Sequence, residues 1–205
     1  MKKIISIVSL LLMLINYSSR ADSPLTSTDF YTAYMDVDMV KEANKTQKFS
    51  DKIGEYLSSP QNSIDKKVAV VNALRWNFDG KKDAELFRAY LGKKYGIRNK
   101  LKVSMDDFST DELLCLGYMT AMDDYFKPQD GIDIVDMALK KNPKSYTFNI
   151  ITSLVKAQNM MDKSWCDLFK LTDAVGKNTS LTMDMKKEAV KIIFDYMNLY
   201  KDSCK

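Results

Sequence analysis

Apolar positions between Ser109 and Pro143 recur every three or four residues, in two runs separated by a turn. In the first run Leu113, Leu116, Gly117, Thr120 and Ala121 fall on one stripe of a helix. Ser109 with Glu112 three residues on has the form of a capping box, in which serine and glutamate satisfy each other's free backbone N–H groups. Gly117 and Ala121 are small enough to let a second helix approach closely. Pro128 suits the first turn of that second helix, where its missing N–H costs nothing, and Ile132, Val135 and Leu139 mark its buried face. Asn142-Pro143 closes the pair.

The same periodicity runs through the rest of the chain. A cap at Thr28 or Asp29 opens a helix carrying Phe30, Tyr34, Val37 and Val40, and a shorter helix follows through Ile53, Tyr56 and Leu57. Ser63 caps IDKKVAVVNALRWNF, which is apolar along two faces (Val68 and Val71 on one, Val70, Leu74 and Phe78 on the other) and so belongs between neighbours. Asp79-Gly80 turns the chain into a partner helix with Ala84, Phe87, Tyr90 and Leu91 that stops at Gly96. Residues 97 to 108, with Arg98, Lys100, Lys102, Asp106 and Asp107, form an exposed irregular connection. Tyr146, Ile150, Leu154 and Ala157 predict a further helix. Asp162 caps one with Trp165, Leu168, Phe169 and Val175, ending at Gly176. In the last helix Met185, Ala189, Ile192, Ile193, Tyr196, Leu199 and Tyr200 form the apolar stripe, and lysines and acids cover the opposite side. One wet face is what the terminal cap of an open stack needs. The fold class predicted is all-α: eight or nine helices in consecutive antiparallel hairpins, with no sheet.

Gly131, Val135, Ala138-Leu139 and Pro143 resemble the second half of a tetratricopeptide repeat, over about one repeat length. The preceding helix departs from that pattern, with Cys115 and Tyr118 where the family has tryptophan and leucine and its glycine displaced to Gly117. Pro60, Ala69, Ala73-Leu74 and AELFRAYL more faintly resemble a HEAT-type hairpin. Both likenesses imply a superhelix of stacked α-hairpins and no particular partner.

Ahead of these helices, Met1 to Ala21 reads as a signal peptide: Lys2-Lys3, the apolar run Ile4 to Ile15, and small residues before a cut after Ala21. A run of this length is shorter than the ~20 residues that cross a bilayer, which disfavours an uncleaved anchor. No cysteine near the cut supports lipid attachment. Residues 22 to 205 then form one domain, located in the periplasm or secreted, with no membrane span after cleavage. The signal followed by SPLTSTDFYTAY resembles small secreted proteins of Bacteroidetes-type bacteria, a likeness that implies no activity.

Export changes the charge balance. Removing Lys2, Lys3 and Arg20 from the 31 basic side chains leaves 28 against 27 acidic ones. That near-neutral chain lacks the basic excess of a nucleic-acid binder, and the runs Lys81-Lys82, Lys93-Lys94 and Arg98 to Lys102 read as solvated faces and loops.

The chain has no histidine. Histidine-based nucleophilic and acid–base catalysis and the usual zinc ligand sets are therefore excluded, and no phosphate-cradling loop or dinucleotide fingerprint occurs. No catalytic residue, metal ligand or cofactor is assigned. Asp36/Asp38, Asp106/Asp107 and Asp123/Asp124 are the carboxylate pairs available to a glycosidase, but adjacent aspartates on a helix diverge by about 100°, and solvated faces and caps are the simpler reading. Tyr118, Tyr125, Phe126 and Tyr146 serve either a core or a concave binding surface. Cys115 lies in an apolar run. Cys166 near the start of one helix and Cys204 past the end of another predict a structural disulfide, with three unpaired thiols as the alternative. Two functions fit. One is a non-catalytic binding module holding a protein, a peptide or a glycan. The other, weaker one is a small carboxylate-dependent glycan hydrolase.

Overall fold

The computed structural model describes residues 23–97, 104–161 and 163–205. The signal segment, Arg98, Lys100, Lys102 and Asp162 lie outside them. Among the described residues the protein is all-α, with no strand and one isolated bridge between Ser145 and Thr182. Its α-helices are α1 (Asp38–Thr46), α2 (Asp51–Ser58), α3 (Ile64–Leu74), α4 (Asp83–Lys94), α5 (Thr110–Asp123), α6 (Gln129–Lys141), α7 (Tyr146–Asn159), α8 (Trp165–Lys177) and α9 (Lys187–Met197). Short 3₁₀ segments run over Phe30–Tyr34, Met105–Asp107 and Asn198–Cys204.

Helix α5 is the centre of the molecule. Leu113, Leu114, Cys115, Leu116, Tyr118, Met119, Ala121 and Met122 are all buried, so it meets neighbours on nearly every side: α2, α3, α4, α6 and α7. Its capping box is formed, with Ser109 Oγ accepting from Glu112 N at 3.3 Å and Glu112 Oε2 accepting from Ser109 N at 2.8 Å. The tightest contact in the fold is α5 on α6, where Gly117 and Gly131 face each other. A Cβ on Gly117 would lie 2.8 Å from Val135 N, and one on Gly131 would lie 2.8 Å from Ala121 N.

From α5 to α8 each helix packs on the next. The N-terminal half is different: α1 packs mainly on α3, and α2 mainly on α4 and α5, so the pairs there are not consecutive. Helix α3 is buried all round, from Lys67 to Leu74. The predicted first helix is split into the Phe30–Tyr34 turn and α1, with Val37 as the N-cap between them.

Helix α9 does not cap an open end. It packs on the Phe30–Tyr34 turn with Ala189, Ile193 and Met197 buried, and Lys186 N donates to Tyr34 OH at 3.0 Å. The same turn reaches the centre through Phe30, stacked on Tyr118 with ring centroids 6.4 Å apart. The two ends of the described chain therefore meet. Helix α8 is capped by Ser164, whose hydroxyl accepts from Asp167 N, and runs from Trp165 through Gly176 to Lys177. Gly176 is not its stop signal; it makes room for the Phe194 ring, 2.7 Å from where its Cβ would be.

Cys166 and Cys204 are joined in a disulfide with Cα atoms 4.7 Å apart, which ties the C-terminal 3₁₀ segment to the start of α8. Cys115 is a buried free thiol, its acidity suppressed by burial. Thiol titration of the unfolded, unreduced protein is expected to find one thiol per chain, and a count of three would mean that the bond does not form in solution.

Candidate binding cleft at a junction of helix ends

Four helix ends converge beside the loop 75–82. The C-termini of α1 and α3 leave carbonyls without intrahelical partners, and the N-terminus of α4 leaves N–H groups without them. Lys81 serves the carbonyls. Its Nζ donates to Gln47 O at 2.9 Å, Leu74 O at 2.7 Å and Arg75 O at 3.3 Å, and pairs with Asp83 Oδ2 at 2.5 Å. An ammonium at two helix C-termini also opposes the negative ends of their dipoles. Asp123, the last residue of α5, serves the N–H groups of α4: its Oδ2 accepts from Ala84 N at 2.7 Å. Lys82, the residue before α4, makes no side-chain cap, so the cap comes from across the fold. Asp83 Oδ1 in turn accepts from Phe49 N at 3.2 Å.

Asp123 is 9% exposed, and its carboxyl is pushed up to about 6 by burial and by the charge of Asp83, against the pull of the α4 N–H groups and Lys81. An acid raised this way binds more protons folded than unfolded. Its contribution is therefore most favourable below its ordinary value near 3.8 and is lost as pH rises through about 6. Asp123→Asn keeps an acceptor for Ala84 N–H and carries no charge. We expect it to raise stability at neutral pH by about 2 kcal/mol and to flatten the profile between about pH 4 and 6. Urea midpoints across that range measure this, and an unchanged slope would show that Asp123 stays charged throughout.

The loop above this knot is set by two unusual backbones. Gly80 has φ +78°, and a Cβ there would stand 3.1 Å from Asp123 O. Arg75 has φ 60° and ψ 177°, a region normally left to glycine, at a cost of about 1–3 kcal/mol. Its guanidinium lies 5.1 Å from the Tyr31 ring centroid, bonds Tyr31 OH and pairs with Asp29 at 3.4 Å, while its Nε is buried without a partner. The consequence is that α3 ends at Leu74, four residues before the apolar pattern does.

Phe78 is thereby turned outward. A cleft of about 350 Å³ opens between Phe78, Asp79, Gly80, Lys81 and Lys82 on one side and Asp123 and Asp124 on the other. Phe78 is 71% exposed and Phe126 64% exposed, and their rings meet edge to face at 5.8 Å and 89°. Behind them Tyr125 lies 4.2 Å from Phe126 and 4.9 Å from Trp76, centroid to centroid, so the exposed pair rests on a packed aromatic row.

A second cleft of about 450 Å³, near Ser58, Lys67, Lys94, Tyr95 and Glu112, is already internally satisfied. Lys67 pairs with Asp111 at 2.8 Å, and the fully buried Glu112 takes bonds from Lys94, Tyr95 and Ser109. Burial works against the charge of Glu112, but those bonds hold its carboxyl below the usual range.

Of the carboxylate pairs singled out in the sequence, Asp36 and Asp38 are exposed and bound to Lys186 and Lys41, and Asp106 and Asp107 lie in an exposed 3₁₀ turn. Asp123 is not the solvated aspartate its neighbour Asp124 is. Tyr118, Tyr125 and Tyr146 are buried, and Phe126 alone of the four aromatics faces solvent. Phe78, Lys81 and Asp83 were not legible as a site, because helical periodicity assigned Phe78 to a buried face and Lys81 to a solvated run. Among the described residues no cluster of potential ligands could hold a metal, and no helix is long and apolar enough to cross a membrane. No family model, curated protein or solved structure matches the chain.

Proposed function

We propose that the protein is an exported, non-catalytic binding module of the periplasm or secretome, holding a protein, peptide or glycan partner at the cleft between Phe78 and Asp124. The observation that carries this reading is the exposed Phe78–Phe126 pair, two large aromatic side chains held in contact beside a polar cleft. The helix-end knot beneath keeps the cleft's shape without a ligand, which lowers the ordering cost of binding. The consecutive packing of α5 to α8 supports the repeat-like reading, and the disulfide supports an oxidising location.

A photo-crosslinking residue at position 78 or 126 tests the surface. Crosslinked partner is expected at both positions and not at exposed Lys201; equal capture at Lys201, or none at 78 and 126, would remove the cleft from the reading. The glycan-hydrolase alternative rests on Asp123, the one buried acid with a raised pKa beside the cleft. Its carboxylate is already the cap of α4, so the binding reading is preferred. Hydrolysis of a glycan substrate that disappears in Asp123→Asn, a change expected to leave the fold intact, would reverse that preference.

A further inference from the structure

We propose that the group the cleft receives is a cationic side chain, lysine or arginine, presented by a partner peptide and seated against the exposed Phe78 ring, in the corner it makes with Phe126, beside Asp79 and Asp124. This rests on the binding reading above and names the chemistry of the same site.

Charge is the first argument. The cleft is lined by Asp79, Asp123 and Asp124 against Lys81 and Lys82. Lys81 is consumed by Asp83 and three carbonyls, so its charge is neutralised from within the fold. Asp123 is likewise buried and taken up by the α4 cap, which leaves the exposed Asp79 and Asp124 against Lys82 at the mouth.

Ring geometry is the second. An edge-to-face pair at 89° forms a corner and not a flat platform. A sugar ring stacks on a flat aromatic face, whereas a cation on a thin aliphatic stem fits a corner, with its charge over an electron-rich ring face and its stem against the other ring. Size is the third. A space of about 350 Å³ is at the lower end of ligand pockets and suits one long side chain with its flanking backbone.

The test uses the exported protein on an array of capped hexapeptides in which Lys, Arg, Glu, Phe or a neutral residue fills each position, with an oligosaccharide array in parallel. Bound peptides are expected to favour Lys or Arg over Glu at one position by about tenfold or more, and to weaken as salt is raised from about 0.05 to 0.5 M. Asp79→Asn/Asp124→Asn should abolish that preference and Phe78→Ala should weaken retention about tenfold, the range for a cation on an aromatic face. Both sets of substitutions are at exposed positions, and circular dichroism checks their folding. Acidic and basic peptides retained equally would overturn the inference. Retention of oligosaccharides but not peptides, lost in Phe78→Ala, would overturn it while leaving the cleft as the binding surface. No Phe78-dependent retention on either array would overturn the inference and the surface together.

Discussion

Gly117→Ala is expected to lower stability by about 3 kcal/mol, although alanine is the better helix former by about 1 kcal/mol. The reason is the α5–α6 contact. A methyl group on Gly117 would stand 2.7 Å from Val135 Cγ1, 2.8 Å from Val135 N and 3.0 Å from Gly131 O. Two of those atoms are backbone of a facing helix, and they move only if the helix moves. Gly131→Ala meets the same obstacle from the other side, at Ala121 N and Gly117 O, both at 2.8 Å. Because α5 also touches α2, α3, α4 and α7, displacing it disturbs the whole core. Gly176→Ala is the matched control. Its methyl would meet only the far end of the Phe194 ring, on a half-buried side chain that can rotate away, so the change should fall within about 1 kcal/mol of neutral. Urea denaturation of the three variants reads this directly. Gly117→Ala and Gly176→Ala unfolding at the same midpoint would mean that the two helices are not in backbone contact.

Lys81→Met is expected to cost about 3–5 kcal/mol, the range for breaking a buried ion pair from one side. Three things are lost together. Asp83, 6% exposed, keeps its charge without its cation. The carbonyls of Gln47, Leu74 and Arg75 lose a shared donor at the ends of two helices. Arg75 loses a bond that helps hold its backbone at φ 60°. Asp83→Asn added to Lys81→Met should recover part of the loss, because asparagine leaves no unpaired charge yet still accepts from Phe49 N. Faster amide exchange at the start of α4 and in the loop 76–82 should accompany the single change. A loss below about 1 kcal/mol would place Lys81 among ordinary surface pairs and leave the cleft without its rigid floor.

The two predictions sit on opposite sides of what the sequence makes readable. Ser109, Glu112, Gly117, Ala121, Pro128, Gly131 and Asn142 specify the α5–α6 hairpin through interactions that span three or four residues, or through a small residue facing another at a close crossing. Such signals are local, so the hairpin and the all-α class follow from order of residues alone. The surface is another matter. Lys81-Lys82 and Asp123-Asp124 are ordinary charge runs until the fold separates one member of each pair from water.

The chain by itself determined helix type, the Ser109 capping box, the α5–α6 contact and the buried setting of Cys115, because each depends on neighbours within one or two turns. Tertiary structure decided where α3 stops, that α1 packs mainly on α3, that α9 returns to the Phe30–Tyr34 turn, and that Phe78 faces outward beside Phe126. For the end of α3 and the outward turn of Phe78 the physical reason is explicit. Helix periodicity runs to Phe78, but the carbonyls that end α3 are claimed by Lys81 and the guanidinium of Arg75 is claimed by Asp29 and Tyr31. Those competing partners are six or seven residues away, or more than forty, and no local pattern records them.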